Sequence, residues 1–263
     1  MEKSQGRKVA KTKAPFEVED LRTKLAVNKN YNDFRKSYSD EHPEIKANNS
    51  NRFWNAKFKT LAKFKDLDWM TKDKINTIIK FLPKENSRIL DLGIGQGYLE
   101  QRLQEIGGNY ELYGIDISEK AITKLKKKFK GKFKNGDVLK IKNFYKKNYF
   151  DAIIAIELIE HISPRKIFRF YKDIRSLLKP AGIFILSTPL NENLRYMKEN
   201  PSSHVREYTK PIIVAELKLS GFKVLEERYF FAFKNLYSIK KILTKLFPDR
   251  WGANNVVIKA VKI

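Results

Sequence analysis

Residues 88–97 read Arg-Ile-Leu-Asp-Leu-Gly-Ile-Gly-Gln-Gly, a strand-length apolar run that passes directly into a glycine-rich turn. A helical pattern follows from Tyr98 to Ile106 and closes on Gly107-Gly108. Glycines at such a turn let the backbone reverse sharply and come close to a ligand. A strand, glycine turn and helix in this order belong at the carboxyl end of a strand in an open α/β sheet, which narrows the fold more than any other feature of the chain. The spacing is Gly-x-Gly-x-Gly, and Asp91 stands two residues before the first glycine. A carboxylate at that point suits a cationic amine and disfavours a pyrophosphate.

The flanking sequence extends the pattern. Thr71 is placed to cap a helix carrying Ile75, Ile78, Ile79 and Leu82, which stops at Pro83. After the first strand come strand patterns at 110–115, 132–135, 150–156, 183–187, 223–231 and 255–262. Helical patterns lie between them: Ser118 caps one that runs to Phe129, another spans about 164–178, and a third spans 211–220 before Gly221. Alternating strands and helices with apolar strands predict an α/β fold, a mostly parallel seven-stranded sheet with helices on both faces.

Ahead of this domain, residues 1–30 are basic and poor in large apolar side chains, and read as a flexible arm. Residues 31–70 interleave Tyr31, Phe34, Tyr38, Phe53, Trp54, Phe58, Phe64, Trp69 and Met70 with Lys and Asn. The spacing of Trp54, Phe58, Leu61 and Phe64 predicts an amphipathic helical cap. Residues 71–263 form the main domain. A basic stretch from Lys234 to Phe247 puts Leu236, Ile239, Leu243, Leu246 and Phe247 on one helical face, and either covers the core or touches a membrane surface.

Of the 263 residues, 42% are hydrophobic and none is cysteine, so a core is available while disulfides, thiolate metal sites and cysteine nucleophiles are excluded. The N-terminal stretch has no apolar signal region and the longest apolar runs are strand-length, which points to a cytoplasmic protein. The net charge of +24 favours polyanionic partners, RNA among them. Lysine far outnumbers arginine, the better reader of bases and phosphates, so compositional bias stands beside a functional reading.

Two further acids close successive strands. Asp116 ends the second, where a carboxylate can accept from both hydroxyls of a ribose. Asp137 follows the third, where it can accept from an adenine amino group. After the fourth strand comes Glu157-Leu158-Ile159-Glu160-His161. If helical, Glu157, Glu160 and His161 share a face, and with His204 from the insert after strand five they form a candidate site for Mg, Mn or Zn. His42 receives no role.

The run Asp91–Gly97, with Asp116, Asp137, Phe150-Asp151-Ala152-Ile153-Ile154 and Leu178-Lys179-Pro180-Ala181-Gly182, resembles the class I S-adenosylmethionine-dependent methyltransferases over residues 71–263. That resemblance implies a Rossmann-like sheet with an antiparallel last strand, and S-adenosyl-L-methionine as cofactor. It implies that Gly93, Gly95 and Gly97 cradle the methionine part near Asp91, that Asp116 with Ile117 takes the ribose, and that Asp137 with Val138 faces the adenine. Ile156 closes the same pocket, and Glu157 and His161 fall where acceptor chemistry takes place. The Glu-x-x-Glu-His pattern with a later histidine resembles two branches, the ubiquinone-biosynthesis O-methyltransferases and the small-RNA 2′-O-methyltransferases. Both branches imply a metal that gathers vicinal oxygens. The expectation is O-methylation of a small molecule such as a quinone precursor, sugar or lipid-linked intermediate. RNA 2′-O-methylation and a non-catalytic cofactor-binding scaffold are the alternatives.

Overall fold

In the computed structural model the described residues are 44–61, 63–192, 194, 199–233, 235–246 and 251–263. The expected arm, and Tyr31, Phe34, Tyr38 and His42 of the expected cap, lie outside them.

Seven strands make one sheet: β1 (Arg88–Leu92), β2 (Glu111–Asp116), β3 (Lys132–Asn135), β4 (Phe150–Ile156), β5 (Leu178–Pro189), β6 (Phe222–Phe230) and β7 (Asn255–Lys262). Their order is β3-β2-β1-β4-β5-β7-β6, with β7 antiparallel to both neighbours and the remaining pairs parallel. The helices are α1 (Asn51–Lys57), α2 (Trp69–Phe81), α3 (Tyr98–Glu105), α4 (Glu119–Lys128), α5 (Pro164–Leu177), α6 (Lys210–Leu219) and α7 (Tyr237–Leu246).

Strand alternation divides the apolar residues between the two faces. Leu90 and Leu92 of β1, with Ile153 and Ala155 of β4, join a core built on α5 and α6 through Phe168, Tyr171, Ile174 and Ile213. Ile89 of β1, with Ala152 and Ile154 of β4, joins a second core with Ile75 and Ile78 of α2 and Leu99 and Leu103 of α3. A third, smaller cluster packs Ile94 and Phe133 on Ala121, Ile122 and Leu125 of α4. No helix among the described residues is long and apolar enough to cross a membrane.

Three sequence expectations are corrected. Helix α2 starts two residues before Thr71: its cap is Asp68, whose carboxylate accepts from the Thr71 N–H at 2.9 Å. Strand β5 starts at Leu178, absorbing the Lys179–Gly182 turn as a bulge opposite Asp151, with Ala181 at φ 56° and Lys179 paired to Asp151 at 2.6 Å. The helical cap expected from the spacing of Trp54, Phe58, Leu61 and Phe64 is helical only over Asn51–Lys57 and a 3₁₀ turn at Phe64–Asp66, with Phe58 extended. The reason is where those side chains go: Phe58 and Leu61 pack on the α4 cluster, whereas Phe64 enters the α2–α3 core, and one straight helix cannot serve both.

Candidate active site

Strand order reverses direction between β1 and β4, and ligands of open α/β sheets bind outside the carboxyl ends of strands at such a point. There a cavity of about 720 Å³ opens, its wall containing Asp91, Gly93 and Gly95 after β1, Asp116 and Ile117 after β2, Asp137 and Val138 after β3, and Ile156 and Glu157 after β4. Gly97 does not reach it. It is the left-handed cap of α3, at φ 70°, and a Cβ there would stand 2.9 Å from Leu125 Cδ2. Gly93 and Gly95 also have positive φ, and a Cβ on Gly93 would meet Leu158 Cδ1 at 3.0 Å.

Asp116 ties the glycine turn to β2: one oxygen accepts from the Gly95 N–H at 2.8 Å and the other from the Ser118 N–H at 2.6 Å. Burial raises its pKa, against the lowering effect of those two bonds. Asp137 caps a short 3₁₀ turn through the Leu139 N–H at 2.9 Å and lines the cavity. Asp91 is buried beside Glu100 of α3, and burial first, then their mutual proximity, pushes the Asp91 carboxyl well above its ordinary range. Burial likewise raises Glu100, to about 7. Asp91 Oδ1 and Glu100 Oε2 are buried without a hydrogen-bond partner. Of the two acids Asp91 lines the cavity, and its orphaned acceptor is the environment that an ammonium group completes, so the residues present fit an amino-acid-bearing ligand such as S-adenosylmethionine.

Beyond β4 the geometry departs from the expected helix. Glu157 takes a left-handed backbone at φ 50°, and only a 3₁₀ turn, Ile159–His161, follows. The helical face proposed for Glu157, Glu160 and His161 does not form. Glu157 is instead engaged by Lys74 Nζ at 3.0 Å, Ser187 Oγ at 2.7 Å and Asn255 Nδ2 at 3.0 Å. Burial works to raise its carboxyl, but the Lys74 ammonium and the bonds from Ser187 and Asn255 hold it below the ordinary range.

Glu160, His161 and His204 do come together. One donor atom from each lies within 4.8 Å of the others. The insert after β5 brings His204 in, because the Val205 N–H donates to the Glu160 carbonyl at 2.9 Å. Glu160 is fully buried; Thr188 donates to its Oε2 at 3.0 Å, while Oε1 has no hydrogen-bond partner. Burial, and then Glu157, raises its pKa well above the ordinary value.

The two histidines are oriented alike. His161 Nδ1 faces the Ser203 carbonyl at 3.1 Å, and His204 Nδ1 faces the Glu192 carboxylate at 2.8 Å. A carbonyl or carboxylate can only accept, so Nδ1 carries a proton in each ring. Desolvation first, then His204, lowers the His161 pKa to about 4, so that ring is neutral at physiological pH. Trp54 of α1 stands edge-on to His161 with centroids 5.0 Å apart, and Lys57 and Phe58 complete this side of the wall. An orphaned carboxylate oxygen with two oriented imidazoles matches the donor set of Zn or Mn.

Several participants carried little sequence signal. Lys74 was not singled out; its signal was a lysine on the apolar face of α2, four residues before Ile78 and seven before Phe81. Glu100, Glu192 and Asn255 find their partners only through folding.

A family model for the methyltransferase domain matches residues 83–239. The chain is 31% identical over 157 residues to the ribosomal protein L11 methyltransferase of Dictyoglomus turgidum, a match covering 58% of this chain and 44% of that protein. It is 33% identical over 155 residues to the ubiquinone biosynthesis O-methyltransferase of Pelagibacter ubique, covering 54% and 60%. The matches thus span about half the length of these curated relatives. A SAM-dependent methyltransferase from Archaeoglobus fulgidus shares the fold with a TM-score of 0.60 at 20% identity, covering 76% of this chain and 96% of that structure. Strand order, the glycine turn with its acids and the family match agree: the chain belongs to the class I S-adenosylmethionine-dependent methyltransferases.

Proposed function

We propose that the protein transfers the methyl group of S-adenosylmethionine to an oxygen of a small-molecule acceptor. The observation that carries this reading is the convergence of Glu160, His161 and His204 beside the cofactor cleft, with Nδ1 of each imidazole engaged elsewhere. The donor supplies an electrophilic sulfonium methyl. In this reading Asp91 of the Asp91–Glu100 pair receives its ammonium, Asp116 its ribose and Asp137 its adenine. Methyl transfer depends chiefly on alignment, which is the task of these positioned acids and of the Trp54 wall.

The acceptor hydroxyl gives up a proton as its oxygen attacks, and His161 Nε2 is the neutral base in place. With its pKa near 4 that imidazole is a weak base, so the oxygen needs further acidification. A divalent cation held by Glu160, His161 and His204 would take up that Nε2 lone pair instead, and would itself lower the pKa of a hydroxyl beside it so that solvent accepts the proton. Glu157, engaged by four donor contacts, sets the electrostatic floor of the pocket rather than moving a proton.

The test supplies tritiated-methyl S-adenosylmethionine and a cell extract, then partitions the label. Label in organic or small polar fractions, lost on chelation and restored by Mn, Mg or Zn, is the expected result. Label in protein would overturn it. A second reading, RNA 2′-O-methylation, draws on the same cluster together with the +24 charge, and label in RNA would establish it instead.

A further inference from the structure

Helix α7 is docked with its amphipathicity reversed. Tyr237 and Thr244 are its buried residues. Its anchor is Asp73 of α2, which accepts from the Tyr237 hydroxyl at 2.9 Å and pairs with the Lys241 ammonium. On the opposite side, Ile239, Ile242 and Leu246 are 56%, 61% and 65% exposed, joined by Leu236 at 65% just before the helix. At 100° per residue the three helical side chains fall within one sixth of the circumference. The expectation that this apolar face covers the core is therefore overturned: polar groups hold the helix down and the aliphatic ridge faces outward.

We propose that this ridge docks the protein onto an anionic lipid bilayer. The sequence from 234 to 247 contains four lysines and no acid. Lys245 is exposed beside the ridge, and Lys240 leans over the half-buried Phe233 ring, which meets Trp251 edge-on at 5.9 Å. Aliphatic side chains projecting from a convex helix, lysines beside them and aromatic rings at the base are the parts of a helix that lies in a membrane interface. A net charge of +24 supplies the long-range attraction to anionic headgroups. The anchor also reaches the active site, since Asp73 is followed by Lys74, the partner of Glu157.

The experiment sediments the full chain with vesicles of phosphatidylcholine alone or mixed with phosphatidylglycerol, without methyl donor, so its outcome is independent of the proposed reaction. Parent protein is expected to pellet with the mixed vesicles. Ile239→Ser with Ile242→Ser removes no charge and alters no buried residue, and should weaken partitioning about tenfold or more with the melting temperature unchanged. Three results would overturn the proposal. The parent protein fails to pellet; the double variant pellets like the parent, leaving charge alone as the cause; or the variant changes the oligomeric state without lipid, which would assign the ridge to a second copy.

Discussion

Asp91 and Glu100 are both raised by burial, and Glu100 raises Asp91 further, whereas Asp91 works to lower Glu100. With Glu100 raised to about 7, the empty protein folds around more bound protons than its unfolded chain carries at neutral pH. Stability from this pair is therefore present at low pH and lost as pH climbs through about 7, because the folded state is the one that holds extra protons. A cationic ammonium reverses the preference and expels the proton. Calorimetry of S-adenosylmethionine binding at neutral pH should show a heat that varies with the ionisation enthalpy of the buffer, reporting proton release. Glu100→Gln should weaken that dependence, leaving the share carried by Asp91; a heat independent of buffer in the parent protein would place the ammonium elsewhere. Lys74 presents the opposite case, a buried cation matched to one acid. Lys74→Met should cost about 1–3 kcal/mol in urea unfolding, discounted from a fully buried pair because Glu157 remains one-third exposed. The double variant with Glu157→Gln should lose less than the sum of the singles; strict additivity would deny the pair any role.

At the scale of elements, the strands and the acids at their ends were legible because both follow from short-range rules. A β-rich apolar run announces a buried parallel strand, and an acid or glycine where it stops marks the ligand-facing end. The Glu157 turn was not legible: helical spacing from 157 to 161 suggested one face, but the left-handed residue redirects the chain and only Glu160 and His161 stay beside His204. Nor was the orientation of α7, since periodicity finds an apolar face without saying which side is docked. Here a single acid, Asp73, decides by capturing Tyr237 and Lys241. Gly97 shows how a residue of the right motif serves an element rather than the ligand. Gly97→Ala should destabilise by about 1–3 kcal/mol, from left-handed strain with Leu125 displaced in addition. Gly107→Ala, at a similar φ of 69° but with nothing within 4 Å of its Cβ, carries the strain alone and should cost less. Equal losses in denaturant titrations would mean that Leu125 yields freely and that α4 is not tightly seated against the turn.

Across the whole molecule, the three apolar clusters meet at the crevice. Ile162 of the α5–α6 core, Leu99 of the α2–α3 core, and Ile94 and Ala121 of the α4 cluster all line the cavity wall. Helix α1, with no buried residue of its own, is held across the opening by polar contacts: Asn51 donates to the Ile117 carbonyl at 2.6 Å and Asn55 accepts from Ser118 at 2.9 Å. A ligand in the cavity would touch every cluster and the loop on which α1 rests, so its binding energy acts on the entire fold. At a ligand concentration of a hundred times Kd the folded state gains about 2.7 kcal/mol. For a chain of this size that corresponds to a rise in melting temperature of about 5–10 °C. Amide exchange in α1 should slow at the same ligand concentration, because the 117–118 loop becomes fixed beneath it. Asp116→Ala should lower the melting temperature of the free protein, having lost the tie to the Gly95 and Ser118 amides. It should also abolish most of the ligand-induced rise. If the variant keeps the full rise, the ribose does not rest on Asp116, and the tie between the glycine turn and β2 is the whole of that residue's contribution.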